Sequence, residues 1–146
     1  MTAAFVLQFL AATLMTGIIW MVQIVHYPLF KNVGIEQFKG YQNRHTKLIT
    51  YVVGPTMTVG LVTALAFFKV GYLSGMDYTL YIITFAILIL IWLSTYLIQA
   101  PQHKKLSLGY NLKAINNLIN FNWIRTACWS VRCLILSYLM FELIAV

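Results

Sequence analysis

Four long runs of apolar residues, separated by more polar stretches, set the pattern of this chain. They cover roughly residues 3–25, 48–70, 78–100 and 121–143. Each run has about the 20 residues that an α-helix needs to cross roughly 30 Å of hydrocarbon. The period-two alternation that marks a transmembrane barrel is missing from the runs. The pattern therefore predicts an all-α fold, in which residues 1–146 form a single integral membrane four-helix bundle.

The stretches between the runs differ in length. Residues 71–77 are small or polar and predict a tight turn, whereas residues 27–47 and 101–120 form longer connections. Apolar residues recur at helical spacing in both long connections, as Ile35, Phe38 and Tyr41 in one and Leu112, Ile115 and Ile119 in the other. This spacing predicts a short interfacial helix in each long connection.

The composition supports the membrane assignment. Hydrophobic residues make up 61% of the 146 positions and charged residues only 9%, against about 25% in an ordinary soluble domain. Ten lysines and arginines exceed three acidic residues. In a soluble protein such an excess would favour nucleic acid as a partner. In a membrane protein the positive-inside bias accounts for it, so no nucleic-acid partner is expected.

The distribution of basic residues predicts the orientation. Eight of them lie on or beside the two long connections, and only Lys69 lies toward the short turn. The positive-inside rule then places both long connections in the cytoplasm and both termini outside, in the cytoplasmic (inner) membrane. The eight residues are Lys31, Lys39, Arg44, Lys47, Lys104, Lys105, Lys113 and Arg125.

All three histidines fall at the predicted cytoplasmic side. His26 ends the first run, His45 precedes the second and His103 follows the third. A neutral imidazole ligates transition metals or haem iron, and it moves protons near pH 7. These three are therefore candidate catalytic proton carriers and tentative ligands of a metal or haem. The alternative is ordinary interfacial hydrogen bonding, because no metal-binding spacing such as His-x-x-x-His occurs.

Polar and aromatic residues recur at helical spacing behind the histidines. Lipid cannot satisfy such side chains, so they are expected to face inward and line a pocket that opens to the cytoplasm. The residues in phase are Thr16, Gln23 and His26 in the first run, Trp92, Thr95, Gln99 and His103 in the third, and Asn122, Arg125, Trp129 and Arg132 in the fourth. Substrate-binding roles are expected for Gln23, Gln99, Asn122, Trp92 and Trp129, and catalytic roles for Arg125 and Arg132.

Arg132 is the most costly of these residues, because it lies near the middle of the fourth run. A central arginine costs about 2.5–3.5 kcal/mol on insertion scales. The nearest acid along the chain, Glu142, is roughly 15 Å away along a helix. Arg132 therefore needs a neutral acceptor or an anion from a ligand. The neutral acceptors in reach are the Tyr51 carbonyl freed by Pro55, Thr58 and Gln99.

Two smaller features have structural interpretations. Tyr27, Tyr41, Tyr51 and Trp123 predict an aromatic belt at the membrane surface. Cys128 and Cys133 point in different directions on a helix, so no disulfide between them is expected.

The segment "PQHKKL … NNLINFNWIRTACW" is similar to the small four-helix membrane proteins related to the anthrone-oxygenase family. The similarity rests on Pro101, Leu106, Asn122 and Arg125, and the number and length of the helices agree with it. The resemblance implies oxidation of a lipophilic polycyclic substrate by oxygen.

Two classes of function follow from these observations. The first is a membrane-embedded oxidoreductase, or a haem- or metal-binding redox protein, that acts on a quinone-like or polycyclic substrate at the cytoplasmic side. The second is a protein without enzymatic activity that binds anionic phospholipid or docks in a larger membrane complex. A small transporter, working as a homo-oligomer, is a third alternative.

Overall fold

The computed structural model describes residues 2–74 and 79–145, with side chains described for 3–67 and 79–142. Within these ranges the chain is helical apart from short turns, and it contains no strand. The all-α prediction is confirmed to that extent. Of the predicted turn at 71–77, residues 71–74 continue a helix, and residues 75–77 lie outside the described residues.

Four long helices make up the described part of the chain. They are α1 (the consecutive segments Thr2–Met21, Val22–His26, Tyr27–Leu29 and Phe30–Asn32), α2 (Ile35–Ser74), α3 (Thr79–Ser94, Thr95–Gln99 and Ala100–Leu106) and α4 (Leu112–Ala145). Each contains a stretch that is long and apolar enough to cross a membrane. The helix count agrees with the four runs in the sequence, although every helix is longer than its run.

Two π-helical turns interrupt α1 and α3 at corresponding places. They cover Val22–His26 and Thr95–Gln99, and each ends two residues before a proline, Pro28 or Pro101. In each π turn a backbone N–H donates to the carbonyl five residues earlier in the chain. In the second turn, for example, the N–H of Ala100 donates to the Thr95 carbonyl. A proline lacks an N–H and crowds the carbonyl four residues before it. The wider turn lets both helices continue through their prolines.

The predicted long connections are much shorter in the structure. The link between α1 and α2 is only residues 33–34, and the link between α3 and α4 is residues 107–111. The predicted interfacial segments are helical, but they are continuous with the spanning helices and do not form separate elements. The α4 helix is capped at its start by Asn111, whose Oδ1 accepts the Ala114 N–H at 2.9 Å.

Apolar packing explains why these helices continue. Phe38 and Ile115 are fully buried, together with Phe30 and Leu106. Of the spaced apolar residues in the connections, Phe38 and Ile115 belong to a second small core and Ile119 packs against it, whereas Ile35, Tyr41 and Leu112 are exposed. We call this part of the bundle, where α1 and α3 end and α2 and α4 begin, the basic end, because most of the lysines and arginines lie there.

Packing among the four helices is uneven. The α1 helix packs closely against α2 and α4, and α3 packs mainly against α4, whereas α2 and α3 touch little. Small residues lie where α1 and α2 approach each other, and a Cβ added at Gly60 would be in ordinary van der Waals contact with the Ala11 Cβ, at 3.7 Å. This arrangement leaves a gap between α2 and α3. The central core is formed by Phe5, Ala12, Met15, Ile19, Met57, Ala64, Phe67, Leu88, Ile91, Trp129 and Leu136.

Candidate functional site

A cavity of about 990 Å³ occupies the gap between α2 and α3, with α1 and α4 forming its back wall. Its inner part is apolar, lined by Met15, Ile18, Ile19, Val22, Val53, Met57 and Trp92. Its other part, toward the basic end, is lined by Tyr27, His45, Lys47, Gln99, His103, Lys104 and Arg125. No acidic side chain belongs to the described lining. The cavity thus combines an apolar body with a cationic, hydrogen-bonding end.

The predicted polar face of α3 lies along this cavity. Trp92, Thr95, Gln99 and His103 all belong to the lining. The helical spacing that the sequence displays therefore does correspond to one shared surface.

His26 and His45 are hydrogen-bonded to each other across α1 and α2. The His26 Nε2 lies 2.8 Å from the His45 Nδ1, and the ring centroids are 4.4 Å apart. The edge-on ring of Phe30 packs against both, at 5.2 and 5.3 Å. One nitrogen donates and the other accepts, so the bond persists only while at most one of the two rings is doubly protonated.

His103 has a neighbour on each ring nitrogen. Its Nε2 lies 3.1 Å from the Tyr27 hydroxyl, and its Nδ1 lies 2.8 Å from the Gln42 Nε2. Because an amide nitrogen only donates, Nδ1 is the acceptor, and a neutral His103 carries its proton on Nε2. The His103 ring centroid is 5.9 Å from that of His45. All three histidines therefore lie in one region, at the basic end.

The predicted three-histidine metal site finds no support in this arrangement. In the part of the chain with described side chains, no group of three or more His, Cys, Asp or Glu side chains is arranged to hold a metal ion. The physical reason is that His26 and His45 direct ring nitrogens at each other, while His103 directs its own at Tyr27 and Gln42. The three imidazoles do not present free nitrogens to one point.

Gln23, Asn122 and Arg125 form a buried network between α1 and α4. Asn122 Nδ2 donates to Gln23 Oε1 at 2.9 Å, and Asn122 Oδ1 accepts from Arg125 at 3.2 Å. Gln23 Nε2 also donates to the Ile119 carbonyl at 3.0 Å. The polar groups of Gln23 and Asn122 are thus already occupied, and these two predicted substrate-binding residues hold α1 and α4 together. Arg125 is also part of the cavity wall, and its Nε has no hydrogen-bond partner among the described residues.

Gln99 differs from Gln23, because its carboxamide is unpaired. The residue is 2% exposed, and neither Nε2 nor Oε1 has a hydrogen-bond partner among the described residues. It lies at the end of the second π-helical turn, in the cavity wall. The indole Nε1 of Trp92, further along the same wall, is also buried and unpaired. Buried polar groups without partners are uncommon and call for an explanation.

Arg132 and Trp129 lie behind the cavity, within the central core. Both are 0% exposed, and the Arg132 guanidinium carbon lies 5.7 Å from the centroid of the Trp129 ring. None of the acceptors expected for Arg132 is bonded to it. The Thr58 hydroxyl donates to the Gly54 carbonyl and Gln99 is unpaired. All three guanidinium nitrogens of Arg132 lack a partner among the described residues, so the Tyr51 carbonyl does not accept from it either.

Two residues of the site were not identified from the sequence. Tyr27 was interpreted as part of an aromatic belt, but it is 4% exposed and contacts His103, whereas Tyr41, Tyr51 and Trp123 are exposed. Gln42 was not singled out. Its spacing, four residues after Phe38 and three before His45, places it on the buried face of α2 and was the available signal.

The thiols of Cys128 and Cys133 are free. Comparison of the chain with protein-family models, curated proteins and solved structures finds no match.

Proposed function

We propose that this protein is a multi-pass membrane protein that binds a lipophilic, oxygen-bearing molecule between α2 and α3 and acts on it as an oxidoreductase. The ligand class is quinone-like or polycyclic. The observation that carries the proposal is the composition of the cavity wall, which is apolar along its inner part and hydrogen-bonding at the basic end. Small-molecule sites typically have about 300–1,000 Å³ and a few placed polar groups among apolar ones. The loose contact between α2 and α3 gives a ligand a route from the lipid.

The polar groups suit a ring that carries oxygen atoms. When its side chain turns toward the cavity, the Gln99 amide nitrogen can donate to a carbonyl and its oxygen can accept from a hydroxyl, so this side chain suits both the oxidised and the reduced form. The Arg125 guanidinium favours a substrate oxygen that becomes negative during the reaction. The proton exchanged with the ligand passes through the Tyr27 hydroxyl, which lies 3.1 Å from His103 Nε2. His103 can receive this proton when the Gln42 amide turns, so that the unpaired Gln42 Oε1 accepts from Nδ1–H and Nε2 accepts from Tyr27.

The resemblance to the anthrone-oxygenase-related proteins supports oxygen as the oxidant. Conversion of a ring CH₂ into a carbonyl consumes one O₂ and releases one water. Loss of the first C–H proton leaves an enolate, whose oxygen Arg125 would stabilise. The His103–Tyr27 pair would receive that proton. The enolate carbon then forms a bond to O₂, and the pair returns the first proton to give a ring hydroperoxide. Loss of the second C–H proton breaks the O–O bond and leaves the ring carbonyl, while the expelled hydroxide and that proton form the water.

The proposal is tested with the purified protein in lipid nanodiscs. A short-chain benzoquinone titrated against tryptophan fluorescence should show saturable quenching, because Trp92 lies in the cavity wall. Gln99→Leu should weaken binding at least about tenfold, since it removes both hydrogen-bonding groups (about 1.4 kcal/mol per tenfold). Gln37→Leu, the same change at an exposed position of α2, is the matched control. Equal affinity in the two variants would count against the site.

Activity is tested with anthrone and an oxygen electrode. We expect one O₂ consumed per anthrone oxidised, above the rate in protein-free nanodiscs. His103→Phe should reduce this rate, while Lys39→Gln, at an exposed position of the basic end, should leave it unchanged. A His103→Phe rate equal to the wild-type rate would remove the proton role of this histidine.

An anionic phospholipid is the second candidate ligand, and the charges of the wall favour it. Lys47, Lys104 and Arg125 belong to the lining, and the described lining contains no carboxylate. Such a ligand should co-purify with the protein and be seen by native mass spectrometry. The double variant Lys47→Gln/Lys104→Gln should lose the lipid and retain benzoquinone binding. If the double variant loses both, the same end of the cavity holds both ligands.

A further inference from the structure

The α2 and α3 helices run antiparallel and make contact on either side of the cavity. At the basic end, Gln42 Nε2 lies 2.8 Å from His103 Nδ1. Toward the opposite end, the ring centroids of Phe67 and Tyr81 are 4.8 Å apart. Between these two contacts the cavity separates the helices. The contacts therefore fix which residues of α2 and α3 lie opposite each other across the gap.

Gly54 and Trp92 lie at the same level in the middle of this gap. From the Gln42–His103 contact, Gly54 is twelve positions away along α2 and Trp92 is eleven positions away along α3. From the contact between the aromatic rings, the separations are thirteen and eleven positions. At about 1.5 Å per residue, the two residues are level to within about 3 Å. Both belong to the lining of the cavity.

The α2 wall is apolar and open at this level. Apart from its own helix backbone, a Cβ added at Gly54 would have only the Thr50 Cγ2 of the described residues within 4 Å, at 3.7 Å. Thr50 and Thr58, one helical turn to either side, also line the cavity. Their hydroxyls donate within α2, to the Thr46 and Gly54 carbonyls. The side chain that Gly54 lacks therefore leaves space in the gap.

The α3 wall is aromatic at the same level. The ring centroids of Trp92 and Tyr96 are 5.6 Å apart, and their planes differ by 23°. Both residues line the cavity, with Trp92 half-buried and Tyr96 exposed. Aromatic rings favour such offset, near-parallel arrangements with one another. A flat ring in the gap would therefore have aromatic surface on the α3 side and the space beside Gly54 on the α2 side.

We propose that Gly54 determines the specificity of the ligand site, because it leaves room for a flat ring to stack against Trp92. This inference rests on the proposed function, in which Gln99 and Arg125 hold an oxygen atom of the ligand. Trp92 is seven residues from Gln99, roughly 10 Å along α3. A fused ring system extends from the oxygen-binding end toward Trp92, whereas a single ring covers less of that distance. Gly54 thus controls the binding of extended planar ligands more than that of compact ones.

The experiment compares the binding of 1,4-anthraquinone, which has three fused rings, with that of benzoquinone. The full-length protein is titrated in lipid nanodiscs, and binding is followed by saturable tryptophan quenching and by the rise in melting temperature. The wild-type protein should bind both quinones. Gly54→Leu should weaken 1,4-anthraquinone binding at least about tenfold and benzoquinone binding less than about threefold, because its side chain fills the gap. Gly54→Ala should have a smaller effect in the same direction.

Gly17→Leu is the matched control. Gly17 is an exposed glycine within the apolar span of α1, and a Cβ added there meets no described atom within 4 Å apart from its own helix backbone. Both substitutions replace a helical glycine by a strong helix former, so both variants should fold. Gly17→Leu should bind the two quinones as the wild type does.

Substitutions of Trp92 test the opposite wall. Trp92→Leu removes the stacking ring and should weaken 1,4-anthraquinone binding at least about fivefold, whereas Trp92→Phe keeps an aromatic ring and should retain most of the affinity. Melting temperature is the readout for these variants, because they lack the indole whose quenching is measured.

The specificity role of Gly54 is wrong if Gly54→Leu affects both quinones equally, or affects neither more than Gly17→Leu does, while the wild type binds both. Those outcomes leave the proposed function standing. A wild-type protein that binds neither quinone would refute the proposed function and this inference together. If Gly54→Leu does not fold, Gly54→Ala and the Trp92 variants provide the test, and wild-type affinity for 1,4-anthraquinone in both Gly54→Ala and Trp92→Leu would overturn the inference.

Discussion

Replacing Asn122 by alanine tests the buried network that links α1 and α4. The change removes two side-chain hydrogen bonds, the 2.9 Å bond to Gln23 and the 3.2 Å bond from Arg125. It leaves a carbonyl oxygen and a guanidinium N–H buried without those partners. Such unpaired groups cost about 1–3 kcal/mol each in soluble proteins. Interhelical bonds in membranes average only about 0.6 kcal/mol. We therefore expect the free energy of unfolding to fall by about 1–4 kcal/mol.

The assay is reversible unfolding in mixed micelles with increasing SDS, followed by far-ultraviolet circular dichroism. Asn120→Ala is the control, because Asn120 lies in the same helix and is exposed. The double variant Gln23→Ala/Asn122→Ala should lose less stability than the sum of the two single variants, since they share one bond. If Asn122→Ala and Asn120→Ala agree to within about 0.5 kcal/mol, the network does not stabilise the fold as argued.

Three further predictions follow from the chain. A C-terminal fusion to a protein that fluoresces only in the cytoplasm should stay dark, because the basic residues predict that both termini lie outside. A bright fusion would show that the orientation is the opposite one. Replacing His26, His45 and His103 singly and together by phenylalanine should give non-additive losses of anthrone oxidation if they act as a unit, whereas three small independent losses would make them ordinary structural residues. Gly109→Ala should destabilise the protein by about 1–3 kcal/mol, because Gly109 has φ +154°, a backbone conformation that is strained for any residue with a Cβ. Gly40→Ala is the control, since Gly40 lies in open space within α2, and it should be neutral or stabilising. Equal effects of the two substitutions on stability would refute the argument from backbone strain.

The number and class of the helices followed from the sequence, because apolar runs of spanning length have few other solutions. The inward faces of α3 and α4 also followed from spacing, since the amide, guanidinium and imidazole groups that recur on one face cannot all be satisfied by their own helix or by lipid. Small hydroxyls can be, as where the exposed Thr58 donates to the Gly54 carbonyl. The lengths of the connections did not. Phe38 and Ile115 were visible as apolar residues in polar surroundings, but whether they start a separate helix or continue a spanning one depends on their packing partners Phe30 and Leu106.

The pairing of the polar residues was also beyond the sequence. Gln23 and Gln99 have the same chemistry and similar surroundings in the chain, yet one is fully bonded and the other is unpaired. The difference arises because Asn122 reaches Gln23 from α4. The spacing of residues along the chain does not encode which glutamine meets Asn122. Only the folded structure distinguishes Gln23, a structural amide, from Gln99, a candidate ligand-binding one.

The two π-helical turns have a consequence for how α1 and α3 accommodate a change in length. One residue added to a regular α-helix rotates everything beyond it by roughly 100°, whereas a π turn takes up one residue more than an α turn. A residue that is inserted and absorbed as a π turn therefore leaves the helix beyond it facing the same way. The turns Val22–His26 and Thr95–Gln99, with their prolines, stand 73 positions apart and occupy the same place in each helical hairpin. Deletion of one residue at either place would therefore restore an α turn and leave the packed face of the helix beyond it toward the interior.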